Sequence, residues 1–200
     1  MRILIVGATG TIGRPLVAAL QSRHELVLAS KQTAHEKVDL ADPGSIRALY
    51  KRVGRVDAVV SAAGEARFAP LATLTDDDFA FSISSKLMGQ VNLIRYGFDS
   101  VSEGGSITIT SGTLAREPMV GGAVASLING ALDSFTRAAA LEAPRNIRVN
   151  VVSPPWVTET LIAFKMDPTT GLPAAEVARA YVESIEGKQT GTVISPAAKR

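Results

Sequence analysis

Residues 2–13, RILIVGATGTIG, decide the fold of this 200-residue chain. The apolar run at 3–6 is typical of a buried strand, and it ends at Gly7. Glycines recur at positions 10 and 13, where a helical apolar pattern begins. A strand, a glycine turn and a helix start in this order predict a phosphate-binding turn. Glycines let the backbone approach a pyrophosphate, and the helix N-terminus offers free N–H groups. The alternative is a tight turn in another kind of α/β protein.

The composition indicates a soluble globular protein and excludes several other classes. At 200 residues, 46% hydrophobic and 20% charged, the chain fits one domain that spans 1–200. Its net charge is only +2 and its basic residues are scattered, which argues against nucleic acid as a partner. It contains no cysteine and only two histidines, so no metal site is expected. We expect no membrane span and no signal peptide, and a cytoplasmic location agrees with the lack of cysteine.

Strand-like apolar runs alternate with helical patterns along the whole chain. Strands are predicted at 3–6, 25–29, 38–40, 56–61, 106–110, 148–152 and 192–194, and helices at 11–23, 43–53, 76–98, 122–143 and 173–186. This alternation predicts an α/β fold, a Rossmann-like doubly wound parallel sheet of about seven strands with helices on both faces. The segment 155–173 has few periodic apolar positions and is predicted to be an irregular flap.

Small, polar or turn-forming residues follow the predicted strands. In an open parallel sheet the ligand binds beyond the carboxyl ends of the strands, so these residues are the candidates for contact with it. The candidate cofactor-binding residues are Gly7, Thr9, Gly10, Thr11, Ile12, Gly13, Ser30, Lys31, Asp39, Leu40, Ala62, Ala63, Gly64, Thr110, Pro154, Trp156 and Val157.

These segments resemble the short-chain dehydrogenase/reductase family nearly from end to end. GATGTIG at 7–13 resembles the family's phosphate turn, with the GxxGxxG spacing of its extended and atypical branches, and SAAG at 61–64 resembles its NAG segment. The resemblance implies that Asp39 meets the adenine amino group and that Ser111, in ITITSG, is the catalytic serine. SPPWVTET at 153–160 resembles the proline-rich loop that covers the nicotinamide, with Pro155 where the family usually has glycine. The implied activity is oxidoreduction of a small-molecule carbonyl or alcohol with NAD(P).

The residue after the second predicted strand bears on the choice of cofactor. A carboxylate there favours the free ribose 2′-hydroxyl of NAD, whereas a basic group accommodates the 2′-phosphate of NADP. This chain has Lys31 and no acidic residue before Glu36. The charge therefore favours NADP (NADPH) over NAD, the alternative being that Lys31 is a solvated surface lysine.

The chain departs from the family at the catalytic pair. The family's tyrosine and lysine lie four residues apart on the helix after the fifth strand, and in this chain those positions are held by Ala125 and Asn129. None of the three tyrosines has a lysine four residues later. Ala125 has no titratable proton, and Asn129 can bond a ribose hydroxyl but carries no charge.

Lys86, in SSKLMGQ at 84–90, stands where the family usually has asparagine. In the family that position lies behind the active-site lysine, so Lys86 could reach the vacant place and act as acid, base or ribose anchor. The alternative is a lysine that extends to solvent. Ser111 likewise either polarises a substrate carbonyl or only caps its loop.

Two functions stay open from the sequence. The first is an NADP-dependent oxidoreductase with an altered catalytic set of Ser111, Lys86 and Asn129. The second is a non-catalytic NADP(H)-binding sensor or regulatory protein, and nothing favours a lyase-like or isomerase activity. Charged residues after the fourth and fifth strands, such as Glu65 and Arg67, are expected to be solvated. The helices at 76–98 and 122–143 are apolar on more than one side, which predicts a homodimer or homotetramer.

Overall fold

The alternating apolar pattern folds into a single parallel sheet of seven strands. The computed structural model describes residues 1–196. The strands are β1 (Arg2–Val6), β2 (Glu25–Ser30), β3 (Glu36–Lys37), β4 (Val56–Ser61), β5 (Val101–Thr110), β6 (Arg148–Val152) and β7 (Val193–Ile194). Their spatial order is β3-β2-β1-β4-β5-β6-β7, and every pair is parallel. The predicted fold class is confirmed.

Helices cover both faces of the sheet. They are α1 (Gly13–Leu20), α2 (Pro43–Val53), α3 (Asp76–Ser82), α4 (Gly89–Gly97), α5 (Ala123–Glu142), α6 (Thr158–Ala163) and α7 (Ala174–Glu186). Leu4 and Val6 pack on the face that carries α2, α4 and α5, whereas Ile3 and Ile5 pack on the face that carries α1 and α7. A strand buried on both faces has no polar side to alternate with, which is why residues 3–6 form an unbroken apolar run.

The order in which strands are added to the sheet switches sides at β1, since β2 and β3 lie on one side of it and β4 to β7 on the other. This strand pairs with β2 on one side and with β4 on the other. The crossovers that leave β1 and β4 therefore go to opposite sides, and a crevice opens beyond the carboxyl ends of these strands. The residues at this end of the sheet form the site described below.

The third strand is not where the sequence pattern placed it. The predicted strand at 38–40 is wrong, because only Glu36–Lys37 pairs, with Ala29 and Ser30 of β2. Asp39 has already left the ladder: its N–H donates to Ser45 Oγ at 2.9 Å and its carboxylate accepts from the Ala41 N–H at 3.0 Å. Local side-chain bonds thus turn the chain toward α2.

Two other predicted segments differ in detail. The helix predicted at 76–98 is interrupted by a π-helical segment, Ile83–Met88, between α3 and α4. The segment 155–173 is more regular than predicted, since it contains α6 and a 3₁₀ turn at Pro168–Thr170. π-Helical segments inside longer helices occur often at functional sites.

Gln90 ties the π-helical segment to the end of β5. Its side chain is fully buried, accepts from the Thr110 N–H at 2.7 Å and donates to the Thr110 carbonyl at 2.6 Å. The same amide nitrogen lies 3.2 Å from the Lys86 carbonyl. One side chain therefore satisfies both backbone groups at the last residue of the strand.

We predict that Gln90→Leu lowers the free energy of unfolding by about 2–4 kcal/mol, because each buried backbone group left without a partner costs about 1–3 kcal/mol. Urea unfolding followed by circular dichroism measures this change. The control is Gln32→Leu at an exposed position, for which we expect a change within about 0.5 kcal/mol. Equal effects of the two substitutions would contradict the role given to Gln90.

Candidate functional site

The glycine turn after β1 is built by close backbone contacts. Gly7 has φ +85°, and a Cβ there would lie 2.6 Å from the Ala62 carbonyl oxygen. A Cβ on Gly13 would lie 1.9 Å from the Gly7 carbonyl oxygen. Only glycine permits these approaches, which bring the first residues of α1 directly onto the turn.

The start of α1 offers hydrogen-bond donors to the crevice. Within residues 1–196, the backbone N–H groups of Thr11, Ile12 and Gly13 donate to no protein acceptor, and no side chain caps the helix. Free N–H groups and the positive end of the helix dipole suit an anion such as a pyrophosphate. Thr9 helps to fix the turn, since its hydroxyl accepts from Thr33 Oγ1 at 2.8 Å and its carbonyl accepts from Arg14 Nε at 2.9 Å.

A main cavity of about 550 Å³ lies beyond the ends of β4, β5 and β6. Many of the candidate residues meet there. The predicted residues that line it are Ile12, Ala62, Ala63, Gly64, Lys86, Thr110, Ser111, Asn129, Pro154, Trp156 and Val157. Glu65 and Arg67 also line it, and both are exposed, as expected of solvated charges.

A small cavity of about 100 Å³ continues from the main one past the ends of β1, β2 and β3. It shares Ala63, Gly64 and Glu65 with the main cavity. The predicted residues that line it are Gly7, Ser30, Lys31, Asp39 and Leu40. The two cavities form one groove across the sheet edge, and the glycine turn lies beside it. An elongated molecule with two ring systems and a central diphosphate fits this arrangement.

Lys31 and Asp39 form an ion pair at the small cavity. Lys31 Nζ lies 2.9 Å from Asp39 Oδ2, with both side chains largely exposed. The hydrogen bond between them raises the pKa of Lys31 and lowers that of Asp39. Both groups are therefore charged at neutral pH. The hydroxyl of Ser30 accepts from the backbone N–H groups of Thr33 and Ala34, which shapes the turn that carries Lys31.

Lys86 lies in the π-helical segment and lines the main cavity. Its stem runs against Gly64, where a Cβ would meet the Lys86 Cα at 3.1 Å. In the described part of the chain its ammonium has no ion-pair partner. Burial lowers the pKa of Lys86 to about 8 because the charged form loses contact with water. An amine of this pKa can exchange a proton near neutral pH.

The hydroxyl of Ser111 is engaged with a buried carboxylate. It donates to Asp133 Oδ1 at 2.5 Å, and Arg116 Nη1 lies 3.4 Å from the other carboxylate oxygen. Asp133 is only 6% exposed. A serine that gives its one hydrogen to Asp133 can accept a hydrogen bond from a ligand but cannot donate to it.

Asn129 presents an unpaired acceptor. The residue is 2% exposed, and its Oδ1 has no hydrogen-bond partner in the described structure. Its Nδ2 lies against Gly112, where a Cβ would approach to 2.8 Å. A buried amide oxygen without a partner is costly, and in a ligand cavity it is satisfied when a ligand donates to it. This geometry fits a ribose hydroxyl.

The tyrosines take no part in the cavity. Tyr50 donates to the Leu93 carbonyl at 2.7 Å, and Tyr181 meets Thr110 Oγ1 at 2.5 Å. Burial raises the pKa of both phenols. Ala125, which the resemblance aligns with the family's tyrosine, lines the cavity. Neither buried phenol can therefore supply the missing acid.

A third, side cavity of about 200 Å³ adjoins the main one. It shares Phe68, Trp156 and Phe164 with the main cavity. The ring centroid of Trp156 lies 5.6 Å from that of Phe68 and 6.2 Å from that of Phe164. Its other lining residues are Ala69, Met119, Val120, Gly121 and Met166.

Sequence reasoning missed Gln90 and Asp133, which hold Thr110 and Ser111 in place. Asp133 lies four residues after Asn129 on α5. Its place on the buried side of that helix was a detectable signal, because a carboxylate there needs a partner. Among residues 1–196 there is no cluster of three or more metal-ligating side chains, and no helix combines the length and hydropathy needed to cross a membrane.

Comparisons with known proteins agree with this geometry. Residues 15–190 match a family model described as enoyl-(acyl carrier protein) reductase. The chain is 30% identical over 171 residues to L-xylulose reductase from Mus musculus, an alignment that covers 76% of this chain and 70% of that protein. It is also 30% identical to a hydroxynaphthalene reductase from Aspergillus fumigatus, with 64% of this chain and 48% of that protein covered.

Solved structures match over nearly the whole chain. The protein lin1944 from Listeria innocua is 42% identical, with a TM-score of 0.94 and 98% of each chain covered. A small-chain dehydrogenase in complex with NADPH is 27% identical, with a TM-score of 0.87 and coverage of 98% of this chain and 95% of that one. The chain therefore belongs to the short-chain dehydrogenase/reductase family.

Proposed function

We propose that the protein is an NADP(H)-dependent oxidoreductase that interconverts a carbonyl compound and an alcohol, with Lys86 in place of the family's tyrosine as proton donor. The observation that carries the proposal is the unpaired Lys86 side chain in the main cavity, where burial lowers its pKa to about 8. The names of the matched reductases give different substrates, so the similarity to them does not identify the substrate of this protein.

The cofactor would lie along the groove that joins the small and main cavities. The free N–H groups of Thr11, Ile12 and Gly13 would bind its diphosphate. The unpaired Asn129 Oδ1 would accept from the nicotinamide ribose. Lys31 would bind the 2′-phosphate, which favours NADP(H) over NAD(H) and would draw Lys31 away from Asp39.

Each residue then has a defined part in carbonyl reduction. When bound, a reduced nicotinamide would supply the hydride that the carbonyl carbon gains. The Lys86 ammonium donates a proton to the carbonyl oxygen, which becomes the hydroxyl of the product, and Lys86 is left neutral. Ser111 accepts a hydrogen bond from that hydroxyl, while its own O–H continues to donate to Asp133 Oδ1. In the opposite direction, neutral Lys86 takes the proton from the alcohol.

A non-catalytic NADP(H) sensor is the second candidate. The engagement of Ser111 with Asp133 favours it, since this serine cannot polarise a carbonyl by donation. The loss of the tyrosine and lysine at 125 and 129 points the same way. The two candidates differ in whether any carbonyl compound oxidises bound NADPH.

We predict that Lys31→Met weakens NADPH binding about tenfold or more, since a hydrogen bond to a charged group contributes about 1.5–3 kcal/mol. NADH binding should stay within twofold. Isothermal titration calorimetry with both reduced cofactors measures the effect. Lys51→Met, an exposed change on α2, is the matched control. An equal loss for NADPH and NADH would exclude a 2′-phosphate contact.

We predict that Lys86→Met lowers kcat for ketone reduction about 10²- to 10⁴-fold, the contribution of a positioned general acid. The dissociation constant of NADPH should change less than twofold, and Lys51→Met should retain activity. Consumption of NADPH at 340 nm is the assay. In the unmodified protein, reduction should decline as pH rises through about 8, because only protonated Lys86 can donate.

The same pair of measurements separates the two candidates. A variant with normal turnover and the same pH profile would remove Lys86 from the mechanism. Tight NADPH binding without oxidation by any ketone, in both the unmodified protein and the variant, would favour the sensor.

We also propose a homodimer, or a tetramer built from it, through the outer faces of α4 and α5, together with a cytoplasmic location. Leu127 and Leu141 on α5 are 53% and 90% exposed, and Met88 next to α4 is 37% exposed. Exposed apolar side chains on neighbouring helices are typical of interfaces.

We predict that Leu127→Glu dissociates the oligomer to a monomer, because a carboxylate would be buried at the interface. Size-exclusion chromatography with light scattering gives the mass. Leu71→Glu, at a site 64% exposed and away from these helices, should leave the mass unchanged. A monomeric unmodified protein would refute the assembly.

A further inference from the structure

We propose that the side cavity binds the uncharged, apolar part of the substrate, so that the preferred substrates are hydrophobic ketones and the corresponding alcohols, with a ring system or alkyl chain beyond the reacting carbon. This inference rests on the proposed function, since it takes the reacting carbon to lie near Lys86 in the main cavity.

The side chains that line the side cavity favour apolar ligands. Phe68, Met119, Val120, Trp156, Phe164 and Met166 provide its side chains, and none carries a charge. One backbone hydrogen bond joins two of its lining segments, from the Ala69 N–H to the Gly121 carbonyl at 3.1 Å. A carboxylate placed among these side chains would lose water without gaining a charged partner.

The side cavity is continuous with the proposed reaction site. Phe68, Trp156 and Phe164 line both cavities, so a molecule can extend from one into the other past these rings. Charged side chains, Lys86 among them, are confined to the main cavity. The polarity thus runs in one direction, from an end with charged side chains to an end whose side chains are uncharged and mostly apolar.

The size of the side cavity limits the apolar part of the substrate. Its volume of about 200 Å³ corresponds to roughly six or seven water molecules at ~30 Å³ each. This volume can hold a fused ring or a chain of several carbons, and it is larger than a methyl group requires. Several lining side chains face water, with Val120 91% exposed, Phe164 55% and Phe68 44%. A ligand would cover them.

Trp156 provides a direct signal of occupancy, because it is the only tryptophan in the chain. We would titrate the protein, with saturating NADP⁺ present so that no hydride is available, and follow tryptophan fluorescence. The probes are 2-tetralone, which is bicyclic and neutral, cyclohexanone, which lacks the second ring, and 2-naphthoate, which adds a charge. We expect saturable binding of 2-tetralone, at least tenfold tighter than that of either other probe.

A variant of the wall tests the location. Met119 is 39% exposed, so Met119→Lys can fold with its charge at the cavity, and it should weaken 2-tetralone binding about tenfold or more. Leu71→Lys, also exposed but outside the cavities, should change binding less than twofold. Equal binding of the three probes, or equal effects of the two variants, would overturn the inference.

Two outcomes separate this inference from the proposed function. If 2-tetralone binds as expected but neither it nor any other ketone oxidises NADPH, the side cavity still binds apolar ligands, whereas the oxidoreductase proposal and the substrate class inferred from it fail. If the protein reduces dihydroxyacetone as efficiently as 2-tetralone, the inference fails and the oxidoreductase stands. If no probe changes the fluorescence while raising the protein concentration does, the surface is covered by a second copy of the chain and the inference is overturned.

Discussion

The approach of two backbone segments at the glycine turn is the constraint on which the site depends. Gly7 ends β1 with φ +85°, directly beside the Ala62 carbonyl at the exit of β4. Gly13 begins α1 against the Gly7 carbonyl. A side chain at either position would separate the two strand exits or push the helix off the turn. These contacts position the free N–H groups of α1. They also position Gly7 in the small cavity and Ala62 in the main one.

A second close contact positions the Lys86 side chain. Gly64, with φ +116°, lets the chain after β4 pass against the Lys86 backbone. The π-helical segment shifts the register of the helix at this point, and Gln90 fixes it to the end of β5. Lys86 is therefore held from two sides by glycine and glutamine rather than by an opposite charge. In the described residues no carboxylate forms an ion pair with this amine, so none restores its ordinary pKa.

The sequence was sufficient for the fold and for the edge of the sheet that carries the site. Buried strands such as 3–6 and helices such as α5 give strong periodic signals, and the carboxyl ends of parallel strands lie on one edge by topology. The position of β3 was not predicted because a strand of only two residues shows no periodic pattern in the sequence. In addition, the Asp39 N–H donates to the Ser45 hydroxyl instead of to a neighbouring strand. The π-helical segment and the Ser111–Asp133 contact depend on tertiary packing, which cannot be inferred from residue spacing along the chain.

The charges around the cavity explain how the family's reaction could continue without its usual pair. In the family layout a lysine lowers the pKa of a tyrosine so that the phenol can exchange a proton. Here Ala125 and Asn129 stand at the positions that the resemblance aligns with this pair, so α5 offers neither a phenol nor an ammonium there. An ordinary lysine at pKa 10.5 holds its proton too strongly for exchange near neutrality, but desolvation brings Lys86 to about 8. A partly buried cation also stabilises the negative charge that develops on the carbonyl oxygen. One amine can thus combine the electrostatic part of the missing lysine with the proton transfer of the missing tyrosine, provided that no acidic neighbour neutralises it.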